Sequence, residues 1–162
     1  LGEKEMTELI GIIRIRGWAA TPWYIQDTLE MLRLKRRFSA MIYPKSSTLE
    51  GMLKLTAPYV TWGELNDEGL NLLLTRLKTI DGNKVNEEFV TKVMKLSGYT
   101  EFVKKVKEGE LKLNKLDNYF KLPITLHPPK GGFKGKVNRP YGSNGEFGYR
   151  GEKINELIKR MV

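Results

Sequence analysis

The clearest alternation of apolar and polar positions lies at Leu9–Arg16 (LIGIIRIR), which predicts a strand. Leu9, Gly11, Ile13 and Ile15 fall on one face, and Ile10, Ile12, Arg14 and Arg16 on the other, which turns cationic toward its end. Thr21 as N-cap and Pro22 at the first helical position then predict a helix to about Leu34, with Ile25, Thr28, Leu29 and Leu32 as its apolar stripe. Phe38–Tyr43 is the next strand, closed by Pro44. The capping-box pattern Ser47-Thr48-Leu49-Glu50 opens a helix carrying Leu49, Met52, Leu53 and Thr56, which ends before Pro58.

A helical stretch follows. Asn66 caps a helix with Leu70, Leu73, Leu74 and Leu77, and Asp81-Gly82 turns the chain. Asn86 caps a second helix with Phe89, Val90, Val93 and Met94, ended by Ser97-Gly98. A third runs from about Thr100 to Glu108, with Phe102, Val103 and Val106 inward and Gly109 as its C-cap. Tyr119–Leu126 (YFKLPITL) is a further strand, in which Pro123 implies an edge position or a bulge. Ile154, Leu157, Ile158 and Met161 make Glu152–Met161 an amphipathic terminal helix, with charges that suit its dipole. These elements divide the chain into a β-α-β-α core (6–60), a helical insertion (61–118) and a closing part (119–162). The last holds the third strand, a Gly-rich segment and the terminal helix, and completes the same domain.

The Gly-rich segment His127–Gly151 changes the picture. Its 25 residues hold seven Gly, three Pro, four aromatic rings, five Lys/Arg and the single acid Glu146. Such a segment buries too little apolar surface to order itself, which predicts disorder that resolves on a partner. The cations make that partner anionic, and Gly permits close approach to phosphates. Phe133, Tyr141, Phe147 and Tyr149 offer rings to unstacked bases. Gly142, Gly145, Gly148 and Gly151 recur every third residue without the prolines of collagen, which fits a backbone pressed against another surface. A strand before the segment and a packed helix after it make it a tethered clasp.

The net charge is +9, unevenly spread. Residues 1–60 carry 9 basic and 6 acidic groups, residues 61–118 carry 10 of each, and residues 119–162 carry 9 and 3. A neutral middle beside a basic end predicts one face toward a polyanion, and mixed charges on the middle helices read as a solvated face or a protein contact. Lys35-Arg36-Arg37 exceeds what a helix C-terminus needs and joins the candidate contacts. The chain contains no Cys, which excludes disulfides, thiol catalysis and cysteine-held metals. The absence of a membrane-length apolar run or signal peptide predicts a soluble intracellular protein, with Leu1–Glu5 a variable or tag-derived extension and Met6 a candidate start.

Enzymatic chemistry is not indicated. His127 is the single histidine, with no partner spacing for a triad or metal site, and reads as structural or as a stacking ring. Gly131-Gly132-Phe133-Lys134-Gly135-Lys136 resembles a phosphate loop but lacks one residue of its spacing, and Val137 stands where Ser or Thr is required. Three classes remain: a structural RNA-binding component, an RNA- or DNA-binding regulator, and an enzyme on an anionic substrate. A regulator would show a reading module such as the RNP1 aromatics or a GXXG clamp, and neither is present. No cofactor and no small-molecule substrate is indicated.

The run Ile13–Glu64 (IRIRGWAATPWYIQDTLEMLRLKRRFSAMIYPKSSTLEGMLKLTAPYVTWGE) resembles the core of the large-subunit ribosomal protein L-thirty family in its archaeal form. Phe120–Met161, with HPPKGGFKG and GYRGEKINELIKRM, is similar to the C-terminal extension shared with the eukaryotic relative, L-seven. The resemblance implies an α+β fold built on a small three-stranded, ferredoxin-like sheet in β-α-β-α-β order. The inserted helical segment and the basic extension ending in a helix complete it. Strand–helix–strand alone suggests a parallel pair; the resemblance implies antiparallel strands, and these are taken as the expectation.

The resemblance further implies a non-catalytic constituent of the large ribosomal subunit in the cytoplasm, bound to large-subunit rRNA and neighbouring ribosomal proteins, with no membrane. Together with the basic and aromatic positions, it makes Arg14, Arg16, Trp18, Lys35, Arg36, Arg37, His127, Lys130, Phe133, Lys134, Lys136, Arg139, Tyr141, Tyr149 and Arg150 the candidate RNA contacts.

Overall fold

The computed structural model describes residues 8–108, 111–116 and 118–162. Gly109, the expected C-cap, and the Leu1–Glu5 extension with Met6 lie outside the described residues. Six strands form the main sheet among these residues, in the order Ile124–Thr125, Ser39–Pro44, Leu9–Arg14, Val60–Glu64, Gly145–Tyr149 and Lys136–Pro140. β1 (Leu9–Arg14) lies between β2 (Ser39–Pro44) and β3 (Val60–Glu64) and is antiparallel to both. The expected α+β architecture and antiparallel β-α-β-α-β order are therefore present.

The third strand is Val60–Glu64, however, and not Tyr119–Leu126. Gly63 and the neighbouring Pro58 obscured it, and its ladder to β1 is a long-range pairing that no local pattern reports. Tyr119–Leu126 instead breaks at Leu122-Pro123. Phe120–Lys121 (β5) pairs with Lys78–Thr79 (β4) in a small second sheet, and Ile124–Thr125 (β6) lines the edge of the main sheet beside β2. The edge position inferred from Pro123 holds for β6.

α1 (Trp23–Met31) and α2 (Ser47–Thr56) cover one face of the sheet. Tyr43 and Trp62 point to this side: the Tyr43 hydroxyl donates to the Leu32 carbonyl at 2.7 Å, and Trp62 shares a groove with Leu49 and Leu53. The side chain of Ser46 accepts from the Leu49 amide at 3.1 Å, so the α2 cap sits one residue before the predicted Ser47. Thr21 does not cap α1. Its hydroxyl turns back to the Gly17 carbonyl, and Pro22 stands at the helix entrance.

The opposite face is covered by α3 (Asp67–Thr75) and α6 (Ile154–Met161), with α4 (Glu87–Lys92) and α5 (Tyr99–Lys107) beyond. Asn66 and Asn86 cap α3 and α4 as their spacing predicts, accepting from the Gly69 and Phe89 amides at 2.7 and 2.8 Å. Leu70, Leu73, Leu74 and Leu77 are all buried, as are Phe102 and Val106. In α6, Ile154, Leu157, Ile158 and Met161 are buried too. Each such side chain contributes about 1.5–3 kcal/mol relative to exposure. A Cβ at Gly63 would lie 1.9 Å from the Gly151 carbonyl oxygen, so glycine at this position lets the backbone entering α6 lie directly on β3.

The Gly-rich segment does not hang free in the structure. It supplies β7 (Lys136–Pro140) and β8 (Gly145–Tyr149), and β8 runs parallel to β3. The expectation of a segment unstructured without its partner is thus at odds with its place in the sheet. The missing aliphatic burial is replaced by backbone pairing and by a buried polar network.

Candidate nucleic-acid interface

Antiparallel pairing brings the C-terminal end of β1 together with the start of β2 and of β3, because Ile13 pairs with Ala40 and Arg14 with Val60. At this end the loops 15–22 and 32–38 meet. The Trp18 indole N–H donates to the Lys35 carbonyl at 2.9 Å, the Arg37 Nε to the Ile15 carbonyl at 3.1 Å, and the Phe38 amide to the Arg14 carbonyl at 2.7 Å. Two stretches about twenty residues apart in sequence thereby form one platform. Lys35, Arg36, Arg37 and Trp18 are exposed on it, and half-buried Arg16 stacks over Tyr59 at 5.0 Å.

Arg14 corrects the sequence reading. It is fully buried, and its guanidinium donates from Nε to the Arg16 carbonyl and from Nη1 to the Leu34 carbonyl, each at 2.7 Å, while lying 3.8 Å from the centre of the Trp18 ring. Burial lowers its pKa from the ordinary arginine value, partly opposed by Tyr59. The face it shares with Ile10 and Ile12 looks into the α1/α2 layer. Arg14 therefore holds the platform from beneath and presents no charge to solvent.

The Gly-rich segment is anchored beside this platform. The His127 amide donates to the Met161 carbonyl, the Lys130 amide to the Arg160 carbonyl, and the Arg160 guanidinium to the carbonyls of Lys130 and Gly132. The Phe133 ring rests 6.2 Å from that of Phe38, next to Arg37. His127, Lys130, Lys134, Lys136 and Arg139 are all exposed. β7 and β8 also pack on residues 57–59 beside Arg16, so the segment continues the same end of the molecule.

Arg150 is the second correction. It is buried and serves the interior: Nη2 meets the Glu146 carboxylate at 2.7 Å and the Glu146 carbonyl at 2.6 Å, and Nε donates to the Thr61 hydroxyl at 2.7 Å. The other Glu146 oxygen accepts from the Gly135 amide at 2.8 Å. Tyr141 is exposed but lies over the Arg150 guanidinium at 4.8 Å. The single acid of the segment is thus its internal clip. Gly145 belongs to the same knot, since a Cβ there would lie 1.8 Å from the Arg139 carbonyl oxygen. The close approach inferred from the glycine spacing occurs here within the segment itself.

Tyr149 sits elsewhere. Its hydroxyl donates to the Glu64 carboxylate at 2.6 Å, and its ring, 6.4 Å from Trp62, borders the groove formed with Lys45 and Leu49. In β1 the partner of Glu64 is Ile10, four residues from Arg14, which places that groove about 13 Å along the strand from the platform. The Glu64 hydrogen bond pushes the Tyr149 pKa up to about 12.

Sequence reasoning missed one group at this end. Arg76, Lys78 and Lys121 lie with Lys35 and Arg36 around a cleft on the β6 side. In sequence, Arg76 and Lys78 are interspersed with the acids of the neutral middle, which hides them from a segment-by-segment charge count. No helix among the described residues is long and apolar enough to cross a membrane.

The comparisons with known proteins agree with the resemblance noted in the sequence. The profile of the family "Ribosomal protein L30p/L7e" matches residues 10–60, the span from β1 to the start of β3. Large ribosomal subunit protein uL30 of Sulfurisphaera tokodaii is 68% identical over 158 residues, which is 97% of this chain and 100% of the relative. The uL30 proteins of Sulfolobus acidocaldarius and Saccharolobus solfataricus are 67% and 58% identical, again over 97% of this chain and their own full lengths.

Proposed function

The chain belongs to the ribosomal protein L30p/L7e family, and from that premise we propose that it is a structural constituent of the large ribosomal subunit that binds and stabilises rRNA. The family is structural and non-enzymatic, and the work of this chain is binding. The observation that carries the reading is the convergence of Arg16, Trp18, Lys35, Arg36 and Arg37 with Lys130, Lys134, Lys136 and Arg139 at one end of the sheet. Cations there neutralise phosphates and fix register, while Trp18, Phe133 and His127 offer flat faces to unpaired bases. The buried Arg14 and Arg150 hold this surface in shape before the RNA arrives, which lowers the ordering cost of binding.

Neighbouring large-subunit proteins have a separate surface in this reading. Trp23 and Met31 of α1 are 74% and 71% exposed, and Leu55 of α2 is exposed as well, on the side of the sheet away from α6. Large apolar side chains left in water at this density fit protein contacts. The proposed place of action is the ribosome in the cytoplasm.

The test is filter binding of the full chain to deproteinised large-subunit rRNA across a salt series. Replacing Lys130, Lys134, Lys136 and Arg139 by Gln is expected to make the log–log salt slope shallower by about 3 units. An unchanged slope would remove the segment from the interface. Recovery of the protein only in the unbound fraction after cosedimentation with large subunits would favour a regulator acting off the ribosome.

A further inference from the structure

Lys78 and Lys121 are directly opposite each other in the β4/β5 pair, and Lys78 also bridges to Lys84. Strand alternation forces this geometry. Thr79 and Phe120 are the buried neighbours in the same ladder, so Lys78 and Lys121 both face outward on one side. Like charges directly opposite destabilise a strand pair, yet no described carboxylate forms an ion pair with either lysine.

Arg76 adds a third charge at the same place. Its Nε and Nη2 both donate to the Thr125 carbonyl, at 3.2 and 3.1 Å, which fixes the guanidinium against β6. Lys35 and Arg36 close the other wall, and Ser39 lies between. The result is a cleft of about 260 Å³ that, among the described residues, is lined by five cations and no acid. The α3 dipole accounts for Arg76 at the helix C-terminus but not for Lys78 or Lys121.

We propose that this cleft is a second phosphate-backbone site, in which Arg76, Lys78 and Lys121 hold a stretch of rRNA backbone on the β6 side of the platform. The inference rests on the rRNA-binding reading above. The anion relieves the repulsion between the paired lysines, so a pairing unfavourable in the free protein becomes favourable in the complex. Because Ser39 pairs with Thr125, the cleft opens at the same end of the sheet as Lys35–Arg37. The backbone track therefore runs from the cleft, across the platform, to the Gly-rich segment.

The experiment uses the full chain and deproteinised large-subunit rRNA. The variant Arg76→Gln/Lys78→Gln/Lys121→Gln is expected to keep its circular dichroism spectrum and to show a salt slope shallower by about 2–3 units. An unchanged slope, beside a shallower one for the Lys130/Lys134/Lys136/Arg139 variant, would overturn the cleft and leave the wider reading standing. Unchanged slopes in both would overturn both. Lys78→Glu supplies an independent readout, because it places an acid between Lys121 and Lys84. It is expected to raise the melting temperature of the free protein while weakening rRNA binding several-fold. A lowered melting temperature with unaltered binding would equally overturn the site.

Discussion

Arg150 and Glu146 form a 2.7 Å ion pair whose side chains are each only 6% exposed, and this pair is what closes the Gly-rich segment onto the sheet. Arg150 reaches β3 through the Thr61 hydroxyl, and Glu146 reaches the bend just before β7 through the Gly135 amide. Removing one member of a buried pair leaves an uncompensated charge, which costs about 3–5 kcal/mol. Glu146→Gln is therefore expected to lose stability on that scale in urea denaturation and to expose residues 130–148 to proteolytic nicking. Wild-type stability in that variant would show that the segment is held without the ion pair.

The two arginines at the end of β1 differ in what their loss does. Arg14 donates to two carbonyls from a fully buried position, so Arg14→Met strands those acceptors and is expected to cost about 2–4 kcal/mol. Arg16 contributes a partly exposed ring contact with Tyr59, and Arg16→Gln is expected to cost less than about 1 kcal/mol. Binding reverses the order once the proteins are compared at equal folded fraction: Arg16→Gln reduces the salt slope by about one unit, and Arg14→Met leaves it unchanged. Thermal melts together with the salt series check both halves.

The contrast between these arginines marks where the sequence stops being legible. The caps at Asn66 and Asn86, the leucine stripe of α3 and the apolar stripe of α6 depend on residues within a turn or two, and each was readable from spacing. Whether Arg14 faces solvent or interior depends on Leu34, and the fate of Arg150 depends on Thr61, 89 residues away. Alternation in β1 correctly puts Arg14 on the face of Ile10 and Ile12, but the strand ends at Arg14, so the face does not continue to Arg16. The cation cleft failed for a related reason. Arg76 and Lys78 look solvated beside their sequence neighbours, and become a site only when β5 brings Lys121 opposite.

The Tyr149–Glu64 contact gives a pH signature. The Glu64 carboxylate accepts a hydrogen bond from the phenol, which stabilises the protonated hydroxyl and raises the Tyr149 pKa from the ordinary 10.0 to about 12. The contact's contribution to stability is full below pH 10, declines from pH 10 to 12 and is gone above that range. Tyr149 is 55% exposed, so solvent screening keeps the contribution small and the spectrum is the better readout. The difference in 295 nm absorbance between the native protein and Tyr149→Phe is expected to titrate near pH 12. In Glu64→Gln the midpoint moves back toward 10. A native midpoint near 10 would contradict the hydrogen bond.

Gly63 and Gly11 are register partners on neighbouring strands, yet they differ in what a side chain would meet. A Cβ at Gly11 would press on the side chain of half-buried Leu65, which can rotate away. A Cβ at Gly63 would meet the Gly151 carbonyl oxygen at 1.9 Å and Ile154 at 3.0 Å, and that backbone can yield only by lifting the start of α6 from the sheet. Gly11→Ala is expected to cost no more than about 1 kcal/mol, and Gly63→Ala about 3 kcal/mol or more. The damage at Gly63 should travel. Arg160 on α6 holds the Lys130 and Gly132 carbonyls, and the Met161 carbonyl holds the His127 amide, so a displaced helix releases the start of the Gly-rich segment. Hydrogen exchange is therefore expected to show faster amides at His127 and Lys130 in Gly63→Ala than in Gly11→Ala, together with weaker rRNA binding. Equal protection in the two variants would mean that the segment is held independently of α6.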